Sequence, residues 1–273
     1  MLEARLGRKS FYYYDGIIEK LIDRTTQTNS IDHYGNTPLH YAMRRSYDKS
    51  VKALSEKGLG LNQKNVQGNT ALNYALRLCN HKYFKILLEK GITLNYTNHD
   101  GLTPLYQAVN CSNIELVNIM LKRGVHPNNK LYDRYGDHPF TLSIKKRRLD
   151  IAKLLFKYGA DINVQSASGW NGLMLASYNG DISTVQWLLE KYAKLNSKVE
   201  WTDGQYDGAT ALTIAVFHNH TDIVKLLLKH GADPQTKCDR GMTPYDYAVQ
   251  KKNPEMIQLL RSAEKSNIWQ ISP

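Results

Sequence analysis

The sequence predicts an all-α protein assembled from repeated helix pairs, and three observations carry that prediction. One eight-residue phrase recurs, as GNTPLHYA from Gly35, GNTALNYA from Gly68, GLTPLYQA from Gly101, GATALTIA from Gly208 and GMTPYDYA from Gly241. The phrase keeps a near-constant period. Each occurrence is followed by a second apolar stripe, which in most units a glycine closes, as in Leu154-Leu155-Phe156 with Gly159 and Leu226-Leu227-Leu228 with Gly231. A phrase rewritten at fixed spacing marks an architecture in which no unit buries its apolar face alone and each is shaped to match its neighbour.

The leucine-like residue of the phrase falls at Leu39, Leu72, Leu105, Phe140, Leu173, Leu212 and Tyr245, with spacings of 33, 33, 35, 33, 39 and 33 residues. One period before Leu39 lies Leu6, and Ile17-Ile18 with Leu21-Ile22 keep the register. Eight units are therefore expected, near 1–31, 32–64, 65–97, 98–132, 133–165, 166–204, 205–237 and 238–261, the first degenerate. A C-terminal tail over 262–273 is expected to fold back through Ile268, Trp269 and Ile271.

Each unit has a local grammar. In Thr37-Pro38-Leu39-His40 the threonine suits an N-cap and the proline suits the first helical position, where its missing N–H costs nothing. Ala42, Ala75, Ala108, Ala176, Ala215 and Ala248 are small enough one turn later to admit a neighbouring helix closely. Gly58, Gly91, Gly124, Gly159 and Gly231 fit the left-handed residue that ends the second helix. Short polar stretches such as GADPQTKCDRG then turn the chain back.

These features together resemble the ankyrin repeat: the 33-residue period, Thr-Pro-Leu-His at Thr37 to His40, Leu154-Leu155 followed by Gly159-Ala160-Asp161, and Asn163 ending its finger. The resemblance covers seven units. It implies two antiparallel helices per unit, a short β-hairpin finger projecting from each, and stacking into a curved solenoid whose concave face is lined by finger tips and inner-helix ends. Histidine at position 40 is then expected to hydrogen-bond loop backbone.

Three departures stand out. His138-Pro139-Phe140-Thr141 lacks the threonine cap, Gly172 weakens the first turn of its helix, and the next outer helix ends at Tyr192 instead of glycine. Six extra residues around VEWTDG precede Gly208, where strain or a protruding finger competes with the plainer reading of a tolerated surface insertion.

Composition sets outer bounds. Lys and Arg outnumber Asp and Glu by 11, which favours acidic partners. Cys79, Cys111 and Cys238 are too few and scattered for a disulfide framework or zinc cluster, which suits a reducing, cytoplasmic setting. The first residues, MLEARLGRKSFYYYDG, lack an apolar core of signal-peptide length, and no run approaches a membrane span.

Catalytic chemistry finds no foothold. There is no phosphate loop, no Gly-x-Ser-x-Gly, no His-Glu-x-x-His and no paired-cysteine spacing, so no cofactor, metal or enzymatic activity is expected. His218 and His220 with Asp222 are the one suggestive group, and they fall in the turn between paired helices.

Function is therefore sought on the outward face. The ends of successive inner helices read Arg44-Arg45, Arg77-Leu78, Asn110-Cys111, Lys145-Lys146, Tyr178-Asn179, Phe217-His218 and Gln250-Lys251; finger tips add Tyr34, Tyr135 and Tyr206. Trp170 follows one tip, beside the expected positions of Tyr178, Tyr206 and Phe217. The candidate partner site is thus Arg44, Arg45, Arg77, Lys145 and Lys146 for acidic residues, with the aromatic group as an anchor pocket. The competing reading has Tyr178 and Phe217 merely packing between helices. KKRRLD from Lys145 also matches a nuclear-import patch, against a solvated, groove-lining role. The leading function is a monomeric, non-catalytic protein–protein interaction module with a protein or peptide partner. The alternatives are the substrate-recruiting arm of a larger enzyme or delivered effector, and nucleic-acid binding through the basic groove.

Overall fold

The computed structural model describes residues 30–128, 136–200 and 204–266. The chain divides into two compact units, Met1–Val125 and His126–Pro273. The expected degenerate first repeat, with FYYYDG, lies outside the described residues. So does the tail from residue 267.

The first unit holds α1 (Pro38–Arg45), α2 (Asp48–Glu56), α3 (Ala71–Arg77), α4 (His81–Glu89), α5 (Pro104–Asn110) and α6 (Ile114–Lys122). The second holds α7 (Pro139–Lys145), α8 (Leu149–Lys157), α9 (Gly172–Asn179), α10 (Ile182–Glu190), α11 (Ala211–Phe217), α12 (Thr221–Lys229), α13 (Pro244–Gln250) and α14 (Pro254–Ser266). Each odd-numbered helix pairs with the even one that follows it. Within each unit, inner helices also pack on inner helices and outer on outer. The tail was expected to start at 262, but α14 runs on to Ser266. No glycine or proline interrupts Arg261 to Ser266, and the Ser262 hydroxyl donates to the Gln258 carbonyl at 2.9 Å.

The recurrent phrase makes each inner helix start where it does. Thr37 Oγ1 accepts the His40 N–H, while His40 Nδ1 accepts the Thr37 N–H at 3.1 Å, a reciprocal cap. His40 Nε2 then reaches the Asn69 carbonyl of the next repeat at 3.0 Å, the loop-backbone role expected of it. In the unit lacking threonine, Thr141 Oγ1 accepts from the His138 N–H at 3.0 Å, so half the cap survives. The leucine-like residues Leu39, Leu72, Leu105, Phe140, Leu173 and Leu212 are all essentially buried, and so are the six alanines. Gly172 is explained by packing: a Cβ there would lie 2.7 Å from Ile144 Cδ1 and 3.1 Å from the Phe140 ring.

Among the described residues no strand forms, so the fingers are not seen as β-hairpins. Each regular finger closes through two backbone hydrogen bonds across five residues, as in Asn65 N–H to Asn69 O and Gly68 N–H to Asn65 O, which leaves no length for a ladder. Fingers join at their tips, Val66 N–H to Tyr34 O and Asp239 N–H to Asp207 O. In the enlarged finger the same closure spans Val199 to Ala209, so the six extra residues swell one loop and leave the helices in register.

One reading of the composition is corrected. Cys79 and Cys111 form a disulfide, with Cα atoms 5.5 Å apart, while Cys238 is free and buried. Their sequence separation of 32 is nearly one period, which sets both in the corresponding turn of adjacent repeats. Distance along a repeat chain does not measure separation in space.

Candidate interaction site

Inner-helix ends and finger tips do present side chains to solvent. In the first unit Arg44, Arg45 and Arg77 are exposed at the ends of α1 and α3. Two of them rest on rings of their own helix: the Arg44 guanidinium lies 5.8 Å from the Tyr41 centroid and that of Arg77 5.3 Å from Tyr74. Tyr34 stands 54% exposed at its tip.

In the second unit the end of α7 carries Lys145 and Lys146, both exposed. Lys145 pairs with Asp137 at 2.9 Å, and the Asp137 side chain is almost wholly buried. Arg147 donates to the Asn179 carbonyl at 2.7 Å, and Arg148 clasps Asp150 through two hydrogen bonds of 2.8 and 2.6 Å. Three of the four cations in Lys145–Arg148 thus hold partners within this unit. Tyr135 lies outside the described residues.

The aromatic residues converge. Trp170 meets Tyr178 at 5.7 Å and Tyr206 at 5.2 Å, and Tyr178 meets Tyr206 at 6.2 Å, all three pairs nearly perpendicular. Edge-to-face contact is the arrangement that ring quadrupoles favour. Three different elements supply the rings: the finger before α9, the end of α9 and the enlarged finger. A cavity of about 340 Å³ opens beside the rings, lined also by Leu175, Asp137, Lys145 and Asn179. Tyr178 is 45% exposed, so its ring is available to a partner and is not core. Phe217 comes closer to the packing alternative, sitting 5.7 Å from both Tyr206 and Tyr247 with the Lys251 ammonium 4.0 Å from its centroid.

His218 belongs to this cluster, a placement the sequence reading missed. Its Nε2 lies 2.9 Å from the Tyr206 hydroxyl and its ring centroid 4.6 Å from that of Tyr178. Burial, helped by His220 and Lys251, pulls its pKa below the ordinary value. Burial likewise raises that of Tyr206. His220 points its Nε2 at the Tyr178 carbonyl, 3.3 Å away. Asp222 holds neither histidine, so the trio lacks the oriented base of a catalytic dyad. Among the described residues no group of histidines, cysteines and carboxylates is gathered to hold a metal ion. The one signal for His218 was its place after Phe217 at an inner-helix end.

The family model for ankyrin repeats in three copies matches residues 10–98, 94–166 and 173–270, nearly the whole chain. This chain belongs to the ankyrin-repeat family. Ankyrin repeat and SAM domain-containing protein 6 of Rattus norvegicus is 35% identical over 103 residues, covering 37% of this chain and 11% of that protein. The mitochondrial disaggregase of Bos taurus is 30% identical over 145 residues, 42% of this chain and 21% of that protein. Inversin of Canis lupus familiaris is 29% identical over 130 residues, 47% and 12% respectively. The matched regions thus amount to about a tenth to a fifth of these ankyrin relatives. Ankyrin repeats are generally non-catalytic protein-interaction modules, although relatives such as the disaggregase are parts of enzymes. No helix among the described residues is long and apolar enough to cross a membrane.

Proposed function

We propose that this ankyrin chain is a non-catalytic, monomeric module that grips a segment of a protein partner along its finger tips and inner-helix ends. The anchor is the cavity walled by Trp170, Tyr178 and Tyr206. The observation that carries this is the exposure of Tyr178 inside a perpendicular ring cluster beside an open cavity. Rigid aromatic walls that lose little conformational freedom are the usual makings of a binding hot spot. Lys146, a basic residue of the same unit with free reach, supplies electrostatic steering toward acidic residues of the partner.

The test compares partner capture from lysate by the wild-type chain and by the Trp170→Ala and Tyr178→Ala variants, with melting temperatures measured alongside. Loss of captured proteins at an unchanged melting temperature supports the anchor. An identical captured set, or a loss that simply follows unfolding, refutes it. A second reading, the recruiting arm of a longer protein with its own activity, is favoured by the small share of its relatives that the chain matches. Nucleic-acid binding is the further alternative, and it requires an affinity that falls steeply with added salt.

A further inference from the structure

We propose that a second cavity beside the aromatic anchor is a carboxylate pocket, so that the partner segment carries an Asp or Glu side chain near its apolar anchor residue. This rests on the peptide-binding reading above and adds the second half of the recognition signature. The cavity, about 550 Å³, is formed by the ends of α11 and α13, the finger before α13 and the enlarged finger, through Phe217, Tyr247, Arg240, Lys251, Gln205 and Gln250. Its described lining holds two cations and two amides and no acid.

The cations are held without neutralisation. Arg240 donates to the Gly204 carbonyl at 3.0 Å, and Lys251 rests on the Phe217 face. Two nearby carboxylates are engaged elsewhere: Asp246 accepts from the Thr243 N–H and hydroxyl, both at 2.8 Å, and Glu255 pairs with Lys225 at 3.0 Å. The Asp239 carboxylate lies toward Gly208 and is not part of the cavity lining. Positive charge fixed by a carbonyl dipole and a ring, with no acid in the described lining to discharge it, leaves a site poised for an incoming anion. The first cavity differs, because there Asp137 already neutralises Lys145.

Tyr206 links the two sites. Its ring touches Trp170 at 5.2 Å and Phe217 at 5.7 Å, so one extended segment crossing it reaches both cavities. A side-chain acid fits better than a phosphate chain. The lining of Phe217, Met242 and Tyr247 suits methylene groups, and in the neighbouring cavity the cation Lys145 is already neutralised by Asp137, which leaves it little attraction for a continuing polyanion.

A random dodecapeptide phage library panned against the full chain, followed by fluorescence anisotropy of the selected peptides, decides the matter. Enriched peptides should pair an aromatic or branched apolar residue with a nearby Asp or Glu. Binding should weaken roughly tenfold or more in Arg240→Glu/Lys251→Glu, the scale of a lost charge-assisted pair, and recover when the peptide acid becomes Lys. Peptides that need Trp170 and Tyr178 but show no acid preference overturn the carboxylate pocket and leave the anchor standing. Failure to enrich any peptide that depends on Trp170 or Tyr178 overturns both. A single-stranded oligonucleotide that displaces the peptides and is itself lost in the double variant overturns the assignment to a peptide acid. The four exchanged or probed surface positions are monitored by melting temperature, which for Arg240→Glu/Lys251→Glu should stay within a few degrees because both side chains are exposed.

Discussion

The Tyr206 hydroxyl stands 2.9 Å from His218 Nε2, tying the tip of the enlarged finger to the end of α11 in the same repeat. That single bond holds the one ring of the cluster that comes from an irregular loop. It also makes the site sensitive to pH. His218 has its folded pKa depressed below the ordinary 6.5, chiefly by burial. Such a group contributes fully above about 6.5, where both states are neutral. Its contribution is lost as pH falls through 6.5 toward the folded value, since the unfolded chain protonates first. Melting temperatures from pH 7.5 to pH 5 should therefore fall more steeply in the wild type than in His218→Gln; parallel slopes would remove His218 from the account.

Tyr192 occupies a left-handed conformation, φ +59°, where equivalent outer helices end in glycine. Its side chain is 91% exposed and so offsets none of the strain by packing. Tyr192→Gly should stabilise the chain by about 1 kcal/mol, visible as a higher denaturant midpoint with unchanged slope.

The Cys79–Cys111 bridge closes a loop of about one repeat, for which chain-entropy reasoning gives about 3–4 kcal/mol. Reduction, or Cys79→Ser, should lower the stability of the first unit by up to that amount. Thiol titration of the unfolded chain should find one free thiol before reduction, from Cys238, and three afterwards.

Gly172 and Ile144 should be coupled. Helix propensity alone makes Gly172→Ala favourable by about 1 kcal/mol, yet its Cβ would press on Ile144 and Phe140, and overpacking costs about 1–3 kcal/mol. The substitution should destabilise the wild type and turn neutral or stabilising in an Ile144→Val background, which removes the Cδ1 that the new Cβ would meet first. Equal effects in both backgrounds would show that the two sites do not touch energetically.

The repeat grammar was legible because it is local. Thr37, Pro38 and the glycines after outer helices act within a few residues of themselves, and the 33-residue period announces which faces must match. The aromatic cluster was legible in part, since Trp170, Tyr178, Tyr206 and Phe217 sit at finger tips and inner-helix ends. Phe217 proved half packing residue, and Lys145 proved committed to Asp137. Neither fact has a signature along the chain, because both depend on which side chain a neighbouring repeat brings alongside.

The sequence by itself determined the helix pairs, their caps, the register of the buried leucines and alanines, and the family. Each follows from contacts between residues a turn or one period apart. Only the tertiary structure decided that Cys79 meets Cys111, that Gly172 makes room for Phe140, and that an enlarged finger carries Tyr206 onto Trp170. It alone placed Arg240 and Lys251 around a cavity whose described lining holds no acid. Those outcomes rest on the directions in which side chains leave adjacent repeats, a quantity set by packing and not by spacing.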